Sequence, residues 1–284
     1  MKIRAYAKIN LALDVVQRRE DGFHDLEMIM APIFLHDLVL VDVIDEGIEI
    51  TTNNRIIPTD ERNIVYKVAA LMIERFQLKK GVRIQIYKHI PMQAGLAGGS
   101  ADGAAVLRAM NRLFHLNLSM ETLAQIGDEV GSDIPFCIYQ QFAFVTGKGE
   151  GLDFFEASPD YAILLVKPKK GVSTKLAFQK LHINQCDHPN CRQMRFAMEN
   201  GDDQTMVSCL GNSLEEPSFK LVPEIQTIKE KLIALGFDGA LMSGSGSCVF
   251  ALTKDPKILQ KGYEAMRNDY PFVLRTRFKT NEDY

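Results

Sequence analysis

The sequence predicts an α+β fold built as two domains. Three observations support this prediction. The chain has 284 residues, which is long for one hydrophobic core. Strand-like and helical segments are interspersed in both halves, without the regular strand–helix–strand order of a parallel sheet. A glycine cluster at 147–151 and Pro159 then interrupt the pattern before a new apolar strand. We therefore predict domains over residues 1–155 and 156–284.

The elements of the first half follow from periodicity. Alternating apolar residues predict strands over 2–16, 37–43, 47–52, 82–87 and 142–146. Apolar residues at helical spacing predict helices over 63–76 and 104–114. Ser119 is predicted to begin a further helix, because serine is a favoured N-cap residue.

The second half contains the same two kinds of pattern. Helices are predicted over 173–181, 192–200, 222–235 and 255–268. Strands are predicted over 161–166, 239–242, 248–252 and 272–277. No repeat or low-complexity segment interrupts either half, so both read as packed domains.

Composition excludes several classes of protein. The net charge is −3, with 46% apolar and 24% charged residues, so no basic field draws the chain to nucleic acid. No apolar run approaches the ~20 residues that span a bilayer. We expect no nucleic-acid or membrane partner, a cytoplasmic location, and a monomer or weak homodimer.

The cysteines predict neither a disulfide framework nor a metal site. There are five, an odd number at irregular positions. His182, Cys186, His188 and Cys191 could supply zinc ligands, but structural zinc sites usually draw ligand pairs from two separated knuckles. A polar loop is the favoured interpretation, and we predict no resident metal.

Residues 91–102 form a glycine-rich segment between a predicted strand and a predicted helix. Its small side chains leave backbone N–H groups uncovered, and these can converge on an anion. Free amides and the helix dipole both favour phosphate at such a helix start. The spacing fits neither a Walker A loop nor a dinucleotide fingerprint. The alternative is a tight turn in which glycine supplies a positive φ.

Three segments together resemble the GHMP small-molecule kinases. Residues 91–102 are similar to the second motif of that family, residues 5–11 to the first, and residues 242–249 to the third. The resemblance implies an S5-like N-terminal domain, a ferredoxin-like C-terminal domain and an active site in the cleft between them. Residues 18–24 and 131–136 carry a narrower resemblance to the diphosphocytidyl-methylerythritol kinases of the family.

The resemblance implies ATP as phosphate donor, with Mg²⁺. The implied ATP-binding residues are Asn63, Lys88, Pro91, Gly95, Leu96, Ala97, Gly98, Gly99 and Ser100. Each has an ordinary alternative: Asn63 could cap a helix, Lys88 could be a solvated strand end, and Ser100 could cap the glycine-rich helix.

Lys8 and Asp133 are the implied catalytic pair. The aspartate would accept the proton of the acceptor hydroxyl, and the lysine would lower its pKa and orient that hydroxyl. Without the resemblance, Asp133 before Ile134-Pro135 is a turn or cap residue, and Lys8 shares an exposed strand face with Asn10. Asp102 is given no catalytic role, because an acid is favourable in the first turn of a helix anyway.

Substrate recognition is implied for Asn10, Phe23, His24, Gly244, Ser245 and Gly246. Phe23 would stack on a cytosine base and His24 would hydrogen-bond its edge; the subfamily commonly has tyrosine at the stacking position. The implied reaction is phosphorylation of the 2-hydroxyl of a CDP-linked methylerythritol in non-mevalonate isoprenoid biosynthesis. The alternatives are a homoserine- or phosphomevalonate-type kinase of the same family, and a catalytically inactive nucleotide-binding sensor. Such a sensor would have no use for Lys8 and Asp133.

Overall fold

A computed structural model of the chain describes residues 1–280 and 283 and has a mixed α+β architecture. The strands are β1 (Lys2–Arg18), β2 (His24–Ile44), β3 (Ile48–Thr52), β4 (Gly81–Tyr87), β5 (Ala143–Gly147), β6 (Gly151–Phe154), β7 (Ala162–Lys167), β8 (Gly211–Asn212), β9 (Gly239–Met242), β10 (Val249–Thr253) and β11 (Phe272–Arg277). The helices are α1 (Ile64–Arg75), α2 (Gly98–Leu113), α3 (Met120–Asp128), α4 (Ile134–Tyr139), α5 (Thr174–Gln179), α6 (Cys191–Glu199), α7 (Asp203–Ser208), α8 (Glu215–Leu221), α9 (Glu224–Ala234) and α10 (Pro256–Met266).

The chain packs as two compact units that are discontinuous in sequence. The first unit comprises residues 1–7, 35–91 and 97–140. The second comprises residues 8–34, 92–96 and 141 onward. Packing therefore does not follow a single cut along the chain, and the predicted domain boundary near residue 155 stays a prediction.

The first unit combines a small sheet with four helices. β3 pairs in parallel with β4, and β4 pairs antiparallel with the second half of β2, from Leu38 opposite Tyr87 to Ile44 opposite Gly81. Helix α2 packs against α1, α3 and α4. Its face of small residues lies in the core, which brings the start of this helix close to the end of β4.

The second unit contains an antiparallel sheet in the order β11-β7-β10-β9. Helices α9 and α10 pack on this sheet, and Phe250 of β10 is among its largest fully buried side chains. The first half of β2 pairs with β5, which pairs with β6. The turn between β9 and β10, residues 243–248, carries the third predicted motif.

Most predicted elements are confirmed, and two differences are informative. The predicted strand over 37–43 is the end of a longer strand, β2, whose first half lacks alternation because Met28 to Ile33 are all buried, Pro32 included. Helix α2 begins at Gly98, earlier than predicted. Glycine is a weak helix former, but here close packing against neighbouring residues overrides that propensity.

Candidate active site

The glycine-rich segment forms a turn that leads directly into α2. Gly95 has a φ of 73° and Ala97 a φ of 56°, so the chain turns in the left-handed region just before the helix. No side chain in the described part of the chain caps the start of α2. The alternative that Ser100 caps this helix is wrong, because Ser100 lies inside its first turn. The first N–H groups of α2 thus lack a side-chain partner and can bind an anion.

The glycines of this turn are required by space as well as by backbone conformation. A Cβ atom on Gly98 would lie 2.9 Å from Ile90 Cγ2, and one on Gly99 would lie 3.2 Å from Ile64 Cδ1. A Cβ on Gly95 would lie 1.8 Å from the backbone oxygen of Ser243. A simple positive-φ turn explains Gly95 but not Gly98, where the requirement is close packing.

Lys88 lies in a buried cluster of charges beside this turn. Its Nζ donates to Asp37 Oδ2, and to Asp102 Oδ2 at 2.6 Å. The lysine side chain is 5% exposed, so the alternative of a solvated strand end is wrong. Binding of ATP by Lys88 stays a prediction.

The two aspartates of the cluster have unequal hydrogen-bond environments. Asp37 Oδ1 accepts from the backbone N–H groups of His89 at 2.5 Å and Ile90 at 2.8 Å. Asp102 Oδ1 is buried with no hydrogen-bond partner among the described residues. The pKa of Asp102 is raised to about 8: burial is the largest cause, Lys88 opposes it, and the neighbouring Asp37 adds to the rise.

Asn63 caps α1. Its side-chain oxygen accepts from the N–H of Val65 at 3.1 Å, and its amide donates to the oxygen of Pro58 at 2.7 Å. The N-cap interpretation is therefore confirmed, and a role of Asn63 in ATP binding stays a prediction.

Lys8 and Asn10 are buried on β1. Lys8 is 4% exposed, and its Nζ donates to Asn10 Oδ1 at 2.7 Å. The expectation of an exposed strand face is wrong, because β1 is covered on both faces over this stretch. A lysine and an amide held together inside a protein need a specific arrangement of polar groups. This favours a functional role.

Asp133 directly precedes α4. Its backbone is helical, and its side chain makes no capping hydrogen bond to the helix. Asp133 lies in a turn at the N-cap position of α4, in agreement with the turn-or-cap alternative, and Pro135 occupies the first turn of this helix. Asp133 is half-buried, which keeps its carboxyl group partly accessible.

The turn between β9 and β10 packs against the first half of the glycine-rich segment. Ser243 Oγ donates to the oxygen of Gly95 at 2.9 Å and accepts from the N–H of Asn10 at 3.3 Å. Ser245 Oγ lies 2.7 Å from Thr174 Oγ1. Gly244 and Gly246 adopt φ values of 56° and 88°, so both positions favour glycine. Substrate contacts by residues 244–246 stay a prediction.

Phe23 lies in the turn between β1 and β2, and His24 is the first residue of β2. Phe23 is 59% exposed, and Lys148 Nζ lies 5.2 Å from its ring centroid, so hairpin packing does not account for this ring. His24 stacks on Phe178 of α5, with ring centroids 5.0 Å apart. Burial, followed by the charge of Arg18, lowers the pKa of His24. The neutral imidazole can both donate and accept a hydrogen bond.

The His–Cys loop is organised by hydrogen bonds. His188 Nδ1 lies 2.6 Å from Asp14 Oδ1 and its Nε2 lies 2.9 Å from the oxygen of Ile183. The bond to Asp14 is the main cause that raises the pKa of His188. Cys191 is buried and donates to the oxygen of Glu27. Among residues 1–280 and 283, no three His, Cys, Asp or Glu side chains are grouped to hold a metal ion.

No helix in the described residues combines the length and apolar character needed to cross a bilayer.

The chain matches the GHMP kinases N terminal domain over residues 63–141 and the GHMP kinases C terminal domain over residues 194–271. A 4-diphosphocytidyl-2-C-methyl-D-erythritol kinase of Bacillus subtilis (strain 168) is 44% identical over 275 residues, covering 96% of this chain and 95% of that protein. The chain belongs to the GHMP kinase family.

Solved structures agree with this assignment. A crystal structure of 4-(cytidine 5'-diphospho)-2C-methyl-D-erythritol kinase has a TM-score of 0.84 and 31% identity, covering 99% of this chain and 100% of that chain. A homoserine kinase from Cytophaga hutchinsonii, at 21% identity, has a TM-score of 0.73 over 98% of this chain and 94% of its own, and shows the fold alone. The predicted GHMP fold and the enzyme class are confirmed. As a GHMP kinase, the chain is an ATP-dependent phosphotransferase.

Two residues that contact predicted site residues were not themselves predicted from the sequence. Asp37 is one of several acids along β2, and only the fold brings it to Lys88. Phe178 lies in a short helix far from His24 in sequence. The sequence showed only that Phe178 lies in a predicted helix, and a local helical pattern does not indicate which distant residues that helix contacts.

Proposed function

We propose that this GHMP kinase uses ATP to phosphorylate the 2-hydroxyl of 4-diphosphocytidyl-2-C-methyl-D-erythritol. The supporting observation is the 44% identity, over nearly the full length of both chains, to a Bacillus subtilis enzyme named for that substrate. The homoserine kinase likeness, at 21% identity, supports no comparable inference about the acceptor. A cytoplasmic location and a monomeric or weakly dimeric state stay predictions.

The start of α2 is proposed to bind the ATP phosphates. Its first N–H groups have no side-chain cap within the described residues, and the helix dipole favours negative charge there. Gly98 and Gly99 allow the close packing that holds this turn. Mg²⁺ is proposed to bind together with the phosphates, since Mg²⁺ commonly uses one or two carboxylates plus substrate phosphates. When bound, it would neutralise charge on the transferring phosphoryl group.

Asp133 and Lys8 are proposed to serve the acceptor hydroxyl. The loose transition state of phosphoryl transfer requires little prior deprotonation, so an aspartate can accept the proton late in the reaction. The position of Asp133, half-buried at the start of α4, suits this role. The buried ammonium group of Lys8, fixed by Asn10, would stabilise the negative charge that develops during transfer.

The cytidine end of the substrate is proposed to bind at Phe23 and His24. The exposed ring of Phe23 offers a face for base stacking, a contact worth ~1–3 kcal/mol. The contact between His24 and Phe178 places a second aromatic ring in the same region. A neutral His24 can recognise the hydrogen-bonding edge of cytosine.

A phosphotransfer panel tests the proposal. The purified enzyme is incubated with ATP and Mg²⁺ and one of four acceptors: the CDP-linked methylerythritol, mevalonate, phosphomevalonate or homoserine. We expect turnover with the first acceptor and at most trace turnover with the others, and Asp133→Asn serves as the inactive control. Preferred turnover of another acceptor would overturn the substrate assignment while leaving the family unchanged.

A further inference from the structure

The buried cluster of Lys88, Asp37 and Asp102 lies against the proposed phosphate-binding end of α2. Asp102 is the fifth residue of this helix, about 6 Å along its axis from the first residue at 1.5 Å per residue. A Cβ on Gly98 would lie 3.3 Å from Lys88 Nζ, so the ammonium group is directly beside the first turn. Any net charge on the cluster therefore acts on an anion bound there.

Two carboxyl groups share one ammonium group in this cluster. If both were ionised, the cluster would carry one net negative charge in the protein interior. Lys88 Nζ contacts one oxygen of each carboxyl group, so two like charges would lie side by side if both carboxyl groups were ionised. The geometry thus favours a single proton between them, as in carboxyl pairs that cannot both ionise.

The hydrogen bonds decide which aspartate holds that proton. Both oxygens of Asp37 accept hydrogen bonds, Oδ1 from two backbone N–H groups and Oδ2 from Lys88. Asp102 accepts only from Lys88, and its Oδ1 has no partner in the described part of the chain. The groups that act on Asp102 are Lys88 and Asp37. Helices α1, α3 and α4, which pack against α2, add no ion pair to it among the described residues.

We propose that Asp102 is a positioning residue for ATP: by holding a proton against Asp37 it keeps the cluster neutral and leaves the positive end of α2 available to the phosphates. The inference rests on the proposed phosphate site at α2. Loss of this proton would place a negative charge beside the bound triphosphate and weaken its binding. Burial supports the same assignment, since it is the largest cause that raises the pKa of Asp102.

Nucleotide binding at varied pH tests this proposal. The dissociation constant of a non-hydrolysable ATP analogue is measured by calorimetry between pH 7 and 9.5, with Mg²⁺ and without acceptor. For the wild type we expect affinity to fall ~10-fold over this range, the order expected for a partly screened charge 6–10 Å from the phosphates. Asp102→Asn, which mimics the protonated carboxyl group, should bind with nearly constant affinity. Glu121→Gln, on the exposed surface of α3, is the matched control and should follow the wild type.

The outcomes separate this inference from the substrate assignment. Because no acceptor is present, a wrong acceptor in the phosphotransfer panel leaves the binding result intact. Parallel pH profiles for wild type and Asp102→Asn would overturn the inference, as would a large loss of affinity in Asp102→Asn at pH 7. Thermal melting of each variant at each pH shows that the protein measured is folded. Asp37→Asn, which alters the carboxyl group that accepts from His89, Ile90 and Lys88, is expected to melt at a lower temperature than Asp102→Asn.

Discussion

Asp102 and Asp133 both lie near the start of a helix in the same compact unit, yet their surroundings differ. Asp102 is 3% exposed and bonded to Lys88, whereas Asp133 is half-buried and its side chain makes no capping hydrogen bond to α4. Sequence position alone describes both as acids at a favourable helix terminus. Burial distinguishes them: a buried acid beside a lysine organises its neighbourhood, and a partly accessible acid can exchange a proton with a ligand.

Replacing Asp133 tests one side of this contrast and has the largest expected effect. Asp133→Asn should lower kcat by ~10²–10⁴-fold, the usual loss for a general base, because an amide cannot accept the proton. ATP affinity should stay near that of the wild type. Initial rates and calorimetry measure the two quantities. Activity within a few-fold of wild type would remove Asp133 from the mechanism.

Replacing Lys8 and replacing Lys88 should have different effects, the first on the reaction rate and the second on stability. Lys8→Met should lower kcat strongly with little change in melting temperature. Lys88→Met should unfold more easily, because it leaves Asp37 and Asp102 buried without a cation, and breaking a buried pair costs ~3–5 kcal/mol. Thermal melting and rate measurements on the same samples compare them. Full activity in Lys8→Met would show that its burial is only structural.

Variants at the proposed cytidine site should raise KM without the loss of kcat that is expected for Asp133→Asn. His24→Ala should raise KM for the CDP-linked substrate by roughly 5- to 150-fold, as a lost hydrogen bond of ~1–3 kcal/mol implies, with KM for ATP unchanged. Phe23→Ala should act similarly, whereas Phe23→Tyr keeps the ring face and should be tolerated. Titration with free CMP or CDP gives an independent measurement. Absence of cytidine nucleotide binding at millimolar concentration, with ATP still bound, would favour another acceptor.

A final expected effect is a change in how stability depends on pH. The pKa of Asp102 rises from 3.8 to about 8 on folding, so between these values the folded protein holds a proton that the unfolded chain has lost. The free energy of unfolding should therefore fall as pH rises through this window. Asp102→Asn lacks this contribution and should gain stability relative to wild type between pH 5 and 8.5. Each kcal/mol corresponds to roughly 2–4 °C in melting temperature for a chain of this size. A constant difference between the two proteins would show that Asp102 is ionised throughout.

Local pattern predicted most of the elements, and the motifs predicted the family. Ser119, for example, caps α3 as expected, accepting from the N–H of Thr122. The local sequence pattern did not predict the surroundings of residues whose burial and partners depend on tertiary contacts. Lys8 looked like a residue of an exposed face, because alternation cannot show that β1 is covered on both sides. Asp102 looked like a simple helix-terminus acid, because its partners Asp37 and Lys88 come from other elements.

The contact between Ser243 and Gly95 has a consequence for synthesis of the chain. Residues 93 and 94 also accept hydrogen bonds from the N–H groups of Ser247 and Cys248, so the glycine-rich segment is held by a turn that is translated about 150 residues later. Although folding during translation generally proceeds from the N-terminal side, this segment can reach its final form only after that turn has left the ribosome. A nascent chain should therefore acquire nucleotide affinity only after residues 243–248 have been translated.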